Sequence, residues 1–360
     1  MTETTIEQLR IPESLDGAPA SDFLQAVEVS RQVRVHTWGN DELAYTAEEL
    51  FAQCHDPYEW YVVLVARNAS EIVGRVGIAM PLADNTDLAH VTLDVLPSAE
   101  GVGLGRKLLE AAELFVRGES RKIVMVETNH PAAALGEGTK DPIPATHGGA
   151  SLPLSSREAR FAYSAGYDLD QVEDFSVCPL PLPHALVSEL RKKAVATHQS
   201  SYAVHQWVDR CPEEWAQEFV RLEQGPAPTV DAGQAQLDVA KMRVAEELSS
   251  ATKRRTLVSA AECLATGSLV GFTSISLLGH RNDVAFQDDT IVEKAHKGKD
   301  VALAMKVANM EMLSRQFPST KTIYTWNSPG DSSILSVNAQ LGFANAGATG
   351  QWRKDLNNMQ

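Results

Sequence analysis

Val95-Leu96-Pro97-Ser98-Ala99-Glu100-Gly101-Val102-Gly103-Leu104-Gly105-Arg106 places three glycines at alternate positions between a strand-like run and an amphipathic stretch. Without Cβ atoms the backbone can approach a ligand closely, and successive N–H groups can converge on one concavity. The helix expected next adds unpaired N–H groups and a positive dipole end, so a pyrophosphate can be held without a cluster of basic side chains. The stretch does not end in G-K-[ST], which excludes a Walker loop. As a dinucleotide fingerprint it lacks glycine at position 106 and begins too far past the strand, although Glu127 stands about where a ribose-binding acid would.

Outward from this turn, Trp60 to Ala66 and Ile72 to Met80 read as a β-hairpin around Asn68-Ala69-Ser70, and a third strand ends at Val95. Leu108, Leu109, Ala112, Phe115 and Val116 fall at helical spacing within 106–117 and form one apolar stripe. Lys122 to Glu127 is a strand, and Ser156 to Ala165 a helix stopped by Gly166, with a closing strand from Tyr167. The same series returns later: Leu257 to Cys263, Leu269 to Leu277, Thr290-Ile291-Val292, Ala302 to Arg315, Thr322 to Trp326, Ser332 to Leu341, then Gly342-Phe343. The offset is constant, since 270 − 73, 292 − 95 and 298 − 101 all equal 197. Internal duplication explains it.

Cys178-Pro179-Leu180-Pro181-Leu182-Pro183 continues neither a helix nor a central strand and marks a linker. The expected division is a first domain over 1–180, a linker and helix over 181–200 and a second domain over 201–360. Two domains suit a chain of 360 residues, 44% of them hydrophobic. A formal charge of −15 has the wrong sign for nucleic acid. Neither a leader segment nor a run of about 18 apolar residues is evident, so no membrane partner is expected. Four dispersed cysteines suggest no disulfide framework, and a reducing cytoplasm fits. The ten histidines lack metal-binding spacing, so no metal is expected.

The strand Leu93-x-Val95-x-Pro97 and the turn Glu100-x-x-Gly103-x-Gly105, with the hairpin before and the strand, helix and closing Gly-aromatic after, resemble the GNAT superfamily of acyl-CoA-dependent N-acetyltransferases. Glu100 stands where that family usually has Arg or Gln. The likeness runs through nearly the whole chain, twice. Thr325-Trp326-Asn327 and Val337 to Phe343 resemble tandem acetyltransferases of actinobacterial type, with a layout similar to mycothiol synthase. The fold class implied is α/β: two tandem GNAT folds, each a mixed, mostly antiparallel sheet flanked by helices.

The resemblance implies acetyl-CoA (coenzyme A) as co-substrate and direct transfer to a small-molecule primary amine, for which negative net charge favours a cationic acceptor. It implies pantetheine in a gap between the strand at Val95 and the strand ending at Asn129. Leu93, Val95, Gly101, Val102, Gly103, Leu104, Gly105, Arg106 and Asn129 are then the cofactor-binding candidates. In the second copy Asp300 replaces the central glycine and sets a carboxylate beside phosphate, with Lys297 and Lys299 as partial compensation, so the first half is the expected active one. Tyr163, near the end of the last helix, is the candidate acid; its counterpart region offers Asn338. His90 is the candidate base and shares a strand face with Asp94, while His130, Glu127 and His147 are alternatives, and Asp288 occupies the expected face in the second half. The long segment Pro131 to Pro153 is a candidate lid. A non-catalytic acyl-CoA-binding or interaction protein is the alternative.

Overall fold

The computed structural model describes residues 4–135, 141–198, 201–224 and 232–358. The chain forms two compact units, Met1–Asp174 with Gly347–Gln360 and Phe175–Ala346.

The first unit runs β1 (Thr4–Gln8), α1 (Ser21–Trp38), α2 (Ala47–Gln53), β2 (Glu59–Asn68), β3 (Glu71–Pro81), β4 (Leu88–Val95), α3 (Leu104–Gly118), β5 (Ile123–Pro131), α4 (Ala132–Leu135), β6 (Pro142–Pro144), β7 (Ser151–Pro153), α5 (Arg157–Ser164) and β8 (Asp168–Pro179), whose residues from Phe175 on belong to the second unit. Strands β1 to β4 pair antiparallel in order, and β4 pairs parallel with β5. Val62 to Ala66 of β2 are buried without alternation, the mark of a strand covered on both faces. One cover is α3, which buries Leu104, Leu108, Leu109, Ala112 and Val116. Each of the three leucines and Val116 contributes roughly 1.5–3 kcal/mol. It packs over Gly74 and Val95: a Cβ on Gly74 would lie 2.9 Å from Leu108 Cδ1, so the glycine sets how closely α3 approaches. The other cover is α1, whose Arg34 pairs with Asp94 of β4.

In the expected lid, residues 136–140 lie outside the described residues, and 142–153 form the β6–β7 hairpin. Ile143 and Leu152 are buried in the core, and this apolar anchoring holds the hairpin against the unit.

The second unit runs α6 (His184–His198), β9 (Tyr202–Val208), α7 (Ala216–Gln224), α8 (Ala232–Ala251), β10 (Arg255–Cys263), β11 (Ser268–Leu278), β12 (Arg281–Val292), α9 (Val301–Gln316), β13 (Thr322–Asn327) and α10 (Ser332–Gln340). Strands β9 to β12 pair antiparallel, and β12 pairs parallel with β13. The repeat is preserved to the residue, with Gly74 opposite Val95 and Gly271 opposite Val292.

The last strand, β14 (Ala344–Asp355), departs from the sequence-based division at residue 201. Its residues from Gly347 on belong to the first unit and pair antiparallel with β5, from Gly347 opposite Pro131 to Asp355 opposite Ile123. Trp352 is fully buried and its indole N–H donates to Thr128 Oγ1 at 2.7 Å, while Lys354 Nζ donates to both oxygens of Glu113 at 2.8 Å. Local sequence carries no signal for such long-range pairing. Among the described residues, no helix is long and apolar enough to cross a membrane.

Candidate functional site

The parallel ladder of β4 and β5 covers only Leu88–Val91 against Ile123–Val126. Beyond it the two strands share no ladder, and a cavity of about 650 Å³ is lined by Thr92, Leu93 and Val95 on one side and Glu127, Thr128 and Asn129 on the other. The cavity reaches both faces of the sheet. On the α3 face it meets Leu104, Gly105, Leu109 and Phe161; on the α1 face it meets Arg34, Tyr61 and Arg75. Leu96 N–H donates to Val73 O, so by antiparallel alternation the N–H groups of Leu93 and Val95 turn toward the gap.

On the α3 face the turn has Gly101 at φ 76° and Gly103 at φ 84°, both left-handed. A Cβ on either would meet nothing within 4 Å among the described residues, so glycine serves the backbone conformation and leaves the approach open. Helix α3 has no side-chain cap, which leaves its first N–H groups available. Glu100 forms a two-armed ion pair with Arg157, one arm at 2.9 Å. The pair is exposed and adds little stability, but it cancels the charge of the one carboxylate at this turn. Arg106 donates to Ser164 Oγ at 3.0 Å and lies 5.9 Å from the centre of the Phe161 ring.

On the α1 face, Arg34 Nη1 donates to Asp94 Oδ1 at 2.9 Å and Arg75 Nη2 to the Tyr61 hydroxyl at 3.0 Å. Asp94 Oδ2 and Arg75 Nε are buried with no hydrogen-bond partner among the described residues. Glu127 is open to the cavity yet hemmed in by protein. Burial raises its pKa, Arg34 opposes that shift, and the nearby Glu173 adds to it. Burial likewise raises Glu173, against the hydrogen bond from Gln351 Nε2 at 3.0 Å.

Leu93, Val95, Gly101, Gly103, Leu104, Gly105, Arg106 and Asn129 all line the cavity, as does Glu127. Val102 does not and is 77% exposed. Neither His90 nor Tyr163 reaches it. His90 sits before the strands separate, paired with Ala79 on one side and Met125 on the other. Tyr163 follows Phe161 and Ala162, which face the cavity, and is itself 54% exposed on the outer side of α5. His147 is exposed beside Asp170.

His130 is buried behind the wall. Trp352 N–H donates to Thr128 Oγ1, which meets His130 Nε2 at 2.7 Å; His130 Nδ1 meets Ser156 Oγ at 2.9 Å, and Ser156 Oγ–H donates to Glu158 Oε2 at 3.2 Å. These partners assign a neutral ring with the proton on Nδ1. Burial lowers its pKa to about 4. Arg34, Arg75 and Arg157 were missed in the sequence. The only trace of the first lies in Ser30, Val33, Arg34 and Thr37, a helically spaced stripe that faces the cavity.

The sequence model of the acetyltransferase (GNAT) family matches residues 28–137, which take in the latter part of α1, the gap and the glycine turn. No curated protein matches by sequence. Among solved structures, a tandem GNAT protein from the clavulanic acid biosynthesis pathway is 20% identical over 98% of both chains, with a TM-score of 0.73. A GCN5-related N-acetyltransferase from Sphaerobacter thermophilus is 14% identical over 98% of this chain and 95% of that one, at 0.60. A GCN5-related glucosamine N-acetyltransferase region of a fungal multi-domain GH3 β-N-acetylglucosaminidase is 13% identical, at 0.61, and this chain spans 38% of that protein. These likenesses show the fold, a tandem GNAT layout over the whole chain.

The second GNAT-like gap differs. Its parallel ladder covers Val284–Phe286 against Thr322–Tyr324. Immediately beyond, the Thr325 hydroxyl donates across to the Gln287 carbonyl at 3.1 Å, and the Gln287 side chain is tied to Thr273 Oγ1 and Ser274 O. The turn keeps Gly298 at φ 76°, but Asp300 stands in the left-handed position at φ 51°. Burial raises the Asp288 carboxyl to about 6.

Proposed function

We propose that the first unit is an acyl-CoA-dependent N-acetyltransferase, moving an acetyl group from acetyl-CoA directly to a primary amine. The observation that carries this reading is the end of the β4–β5 ladder at Val91 and Val126, where a cavity opens through the sheet with the glycine turn at its edge. The residues present fit the cofactor. Open amides at 101–105, an uncapped fifteen-residue helix and a neutralised Glu100 suit a pyrophosphate. Acetyl-CoA, when bound, supplies the acetyl group as a reactive thioester.

The chain's own groups do the rest. Amides from Val102 to Arg106 hold phosphate, and Leu93, Leu109 and Phe161 offer the gap an apolar wall. The N–H groups of Leu93 and Val95, turned into the gap, donate to the carbonyl oxygen as it gains charge. Glu127 takes the proton from the attacking amine as the C–N bond forms and the thioester C–S bond breaks, and coenzyme A leaves as a thiolate that is protonated from solvent; the role suits a carboxyl whose proton affinity is raised by burial. The acceptor enters from the α1 face. The test is thiol release from acetyl-CoA with a panel of amines: turnover above hydrolysis that Glu127→Gln abolishes is expected. Acetyl-CoA binding with no turnover on a broad panel would instead favour a non-catalytic acyl-CoA-binding protein.

A further inference from the structure

The α1-face lobe of the cavity has an uneven charge balance. Arg34 and Arg75 both line it, and the one fully buried carboxylate beside them is Asp94, which gives a single oxygen to Arg34. Arg75 is itself buried, spends one nitrogen on a phenol and keeps Nε without a partner among the described residues. Tyr61 cannot supply a counter-charge, because burial raises its pKa, and burial pushes the neighbouring Cys54 thiol up to about 11. Glu127 faces Arg34 from β5 across the open cavity. Asp94 is spent on Arg34, so Arg75 has no carboxylate hydrogen-bonded to it among the described residues. An uncompensated buried cation is costly, and a guanidinium fork matches a carboxylate in shape and charge. Ser30, Thr37 and Gln53 add polar groups to this wall, beside the apolar Val33 and Leu50.

We infer that the acceptor is an amino carboxylate, an amino acid or a short ω-amino acid, whose carboxylate sits on Arg34 and Arg75 while its amine points along the gap to Glu127. This rests on the acetyltransferase reading for the role of the amine, and on the charge balance alone for the carboxylate.

The experiment separates the two. Full-length protein saturated with coenzyme A is titrated calorimetrically with matched pairs differing only in the carboxylate: glycine and methylamine, β-alanine and ethylamine, γ-aminobutyrate and propylamine, lysine and cadaverine. In at least one pair the carboxylate member should bind about tenfold tighter or better. Arg34→Gln should erase that preference while the coenzyme A affinity stays the same. Should Arg34→Gln unfold because Asp94 loses its partner, Thr37→Glu, which adds a negative charge to the lobe, should weaken the carboxylate members selectively. Equal or weaker binding of the carboxylate member in every pair overturns the inference. Thiol release without carboxylate preference leaves the acetyltransferase and removes this subsite; carboxylate-selective binding without thiol release does the reverse.

Discussion

The two gaps share a backbone and differ in what fills it. Gly101 and Gly298 have the same φ of 76°, and each turn leads into a long helix through a left-handed residue. Yet Gly103 becomes Asp300, and the Thr325 hydroxyl donates to the Gln287 carbonyl at the step where the first copy has its last ladder pair, Val91 and Val126. Phe286 pairs with Tyr324 as His90 pairs with Met125, so two steps along, Trp326 stands in the place of Glu127. Its indole stacks on Phe286 with ring centres 6.2 Å apart. Strand β12 also carries a bulge, with Asp288 and Asp289 opposite Ser274, that β4 lacks. Duplication thus preserved the turn geometry and the Gly–Val pairing beside it, while the bulge and the side chains at the gap differ.

The sharpest break of this contrast is Glu127→Gln. It should lower kcat about 10²- to 10⁴-fold and leave acetyl-CoA affinity within a factor of two. The folded-state pKa of Glu127 is raised, so its ionised form is penalised at neutral pH and the variant should melt no earlier than wild type. For the same reason, wild-type kcat/KM should fall with decreasing pH along a limb lying above the ordinary carboxylate range. A melting temperature that drops sharply, with kcat intact, would show Glu127 to be structural.

Next comes an acid sensitivity confined to the first unit. His130, neutral in the fold with a pKa near 4 against 6.5 ordinarily, contributes stability above pH 6.5 that is lost as pH falls from 6.5 toward 4, on the order of 3 kcal/mol in all. The same step along β13 reaches Pro329, which does not titrate. Hydrogen exchange should therefore show β5 opening more readily than β13 as pH falls through this window, and His130→Gln should flatten the difference. An equal response in both strands would refute it.

Smaller effects follow from exchanging the turn residues. Asp300 shows that aspartate adopts the left-handed position, so Gly103→Asp should fold and weaken acetyl-CoA binding about fivefold, the equivalent of roughly 1 kcal/mol of repulsion. Asp300→Gly should create no binding, because Trp326, stacked on Phe286, still stands where Glu127 lines the first gap. Uptake by the second unit after this one change would place the block in the carboxylate alone. Smallest of all, Tyr163→Phe should alter kcat less than about twofold, since the side chain is largely exposed. A larger loss would return it to the chemistry.

Periodicity and turn chemistry made the hairpin, the strand ending at Val95, the helix after the glycine turn and the repeat legible, and they found β5 but ended it at Glu127, four residues short of Pro131. Local rules act there: alternate burial, an apolar stripe, a glycine stop. The α1 wall was not legible, because Ser30, Arg34 and Thr37 put polar groups on its inner face and blur the apolar stripe. Nor was β14, since Trp352 reaches Thr128 across a sequence separation that no pattern encodes. Val91 and Val95 face α3, whereas Asp94 turns toward α1, where Arg34 holds it.

The most direct test is a crystal structure with coenzyme A. The expected density has its diphosphate within hydrogen-bonding distance of the amides between Val102 and Arg106, its pantetheine arm between Leu93 and Asn129, and no second molecule at 298–302. An unliganded turn at saturating coenzyme A, or density at Gly298 to Ala302 instead, would contradict it.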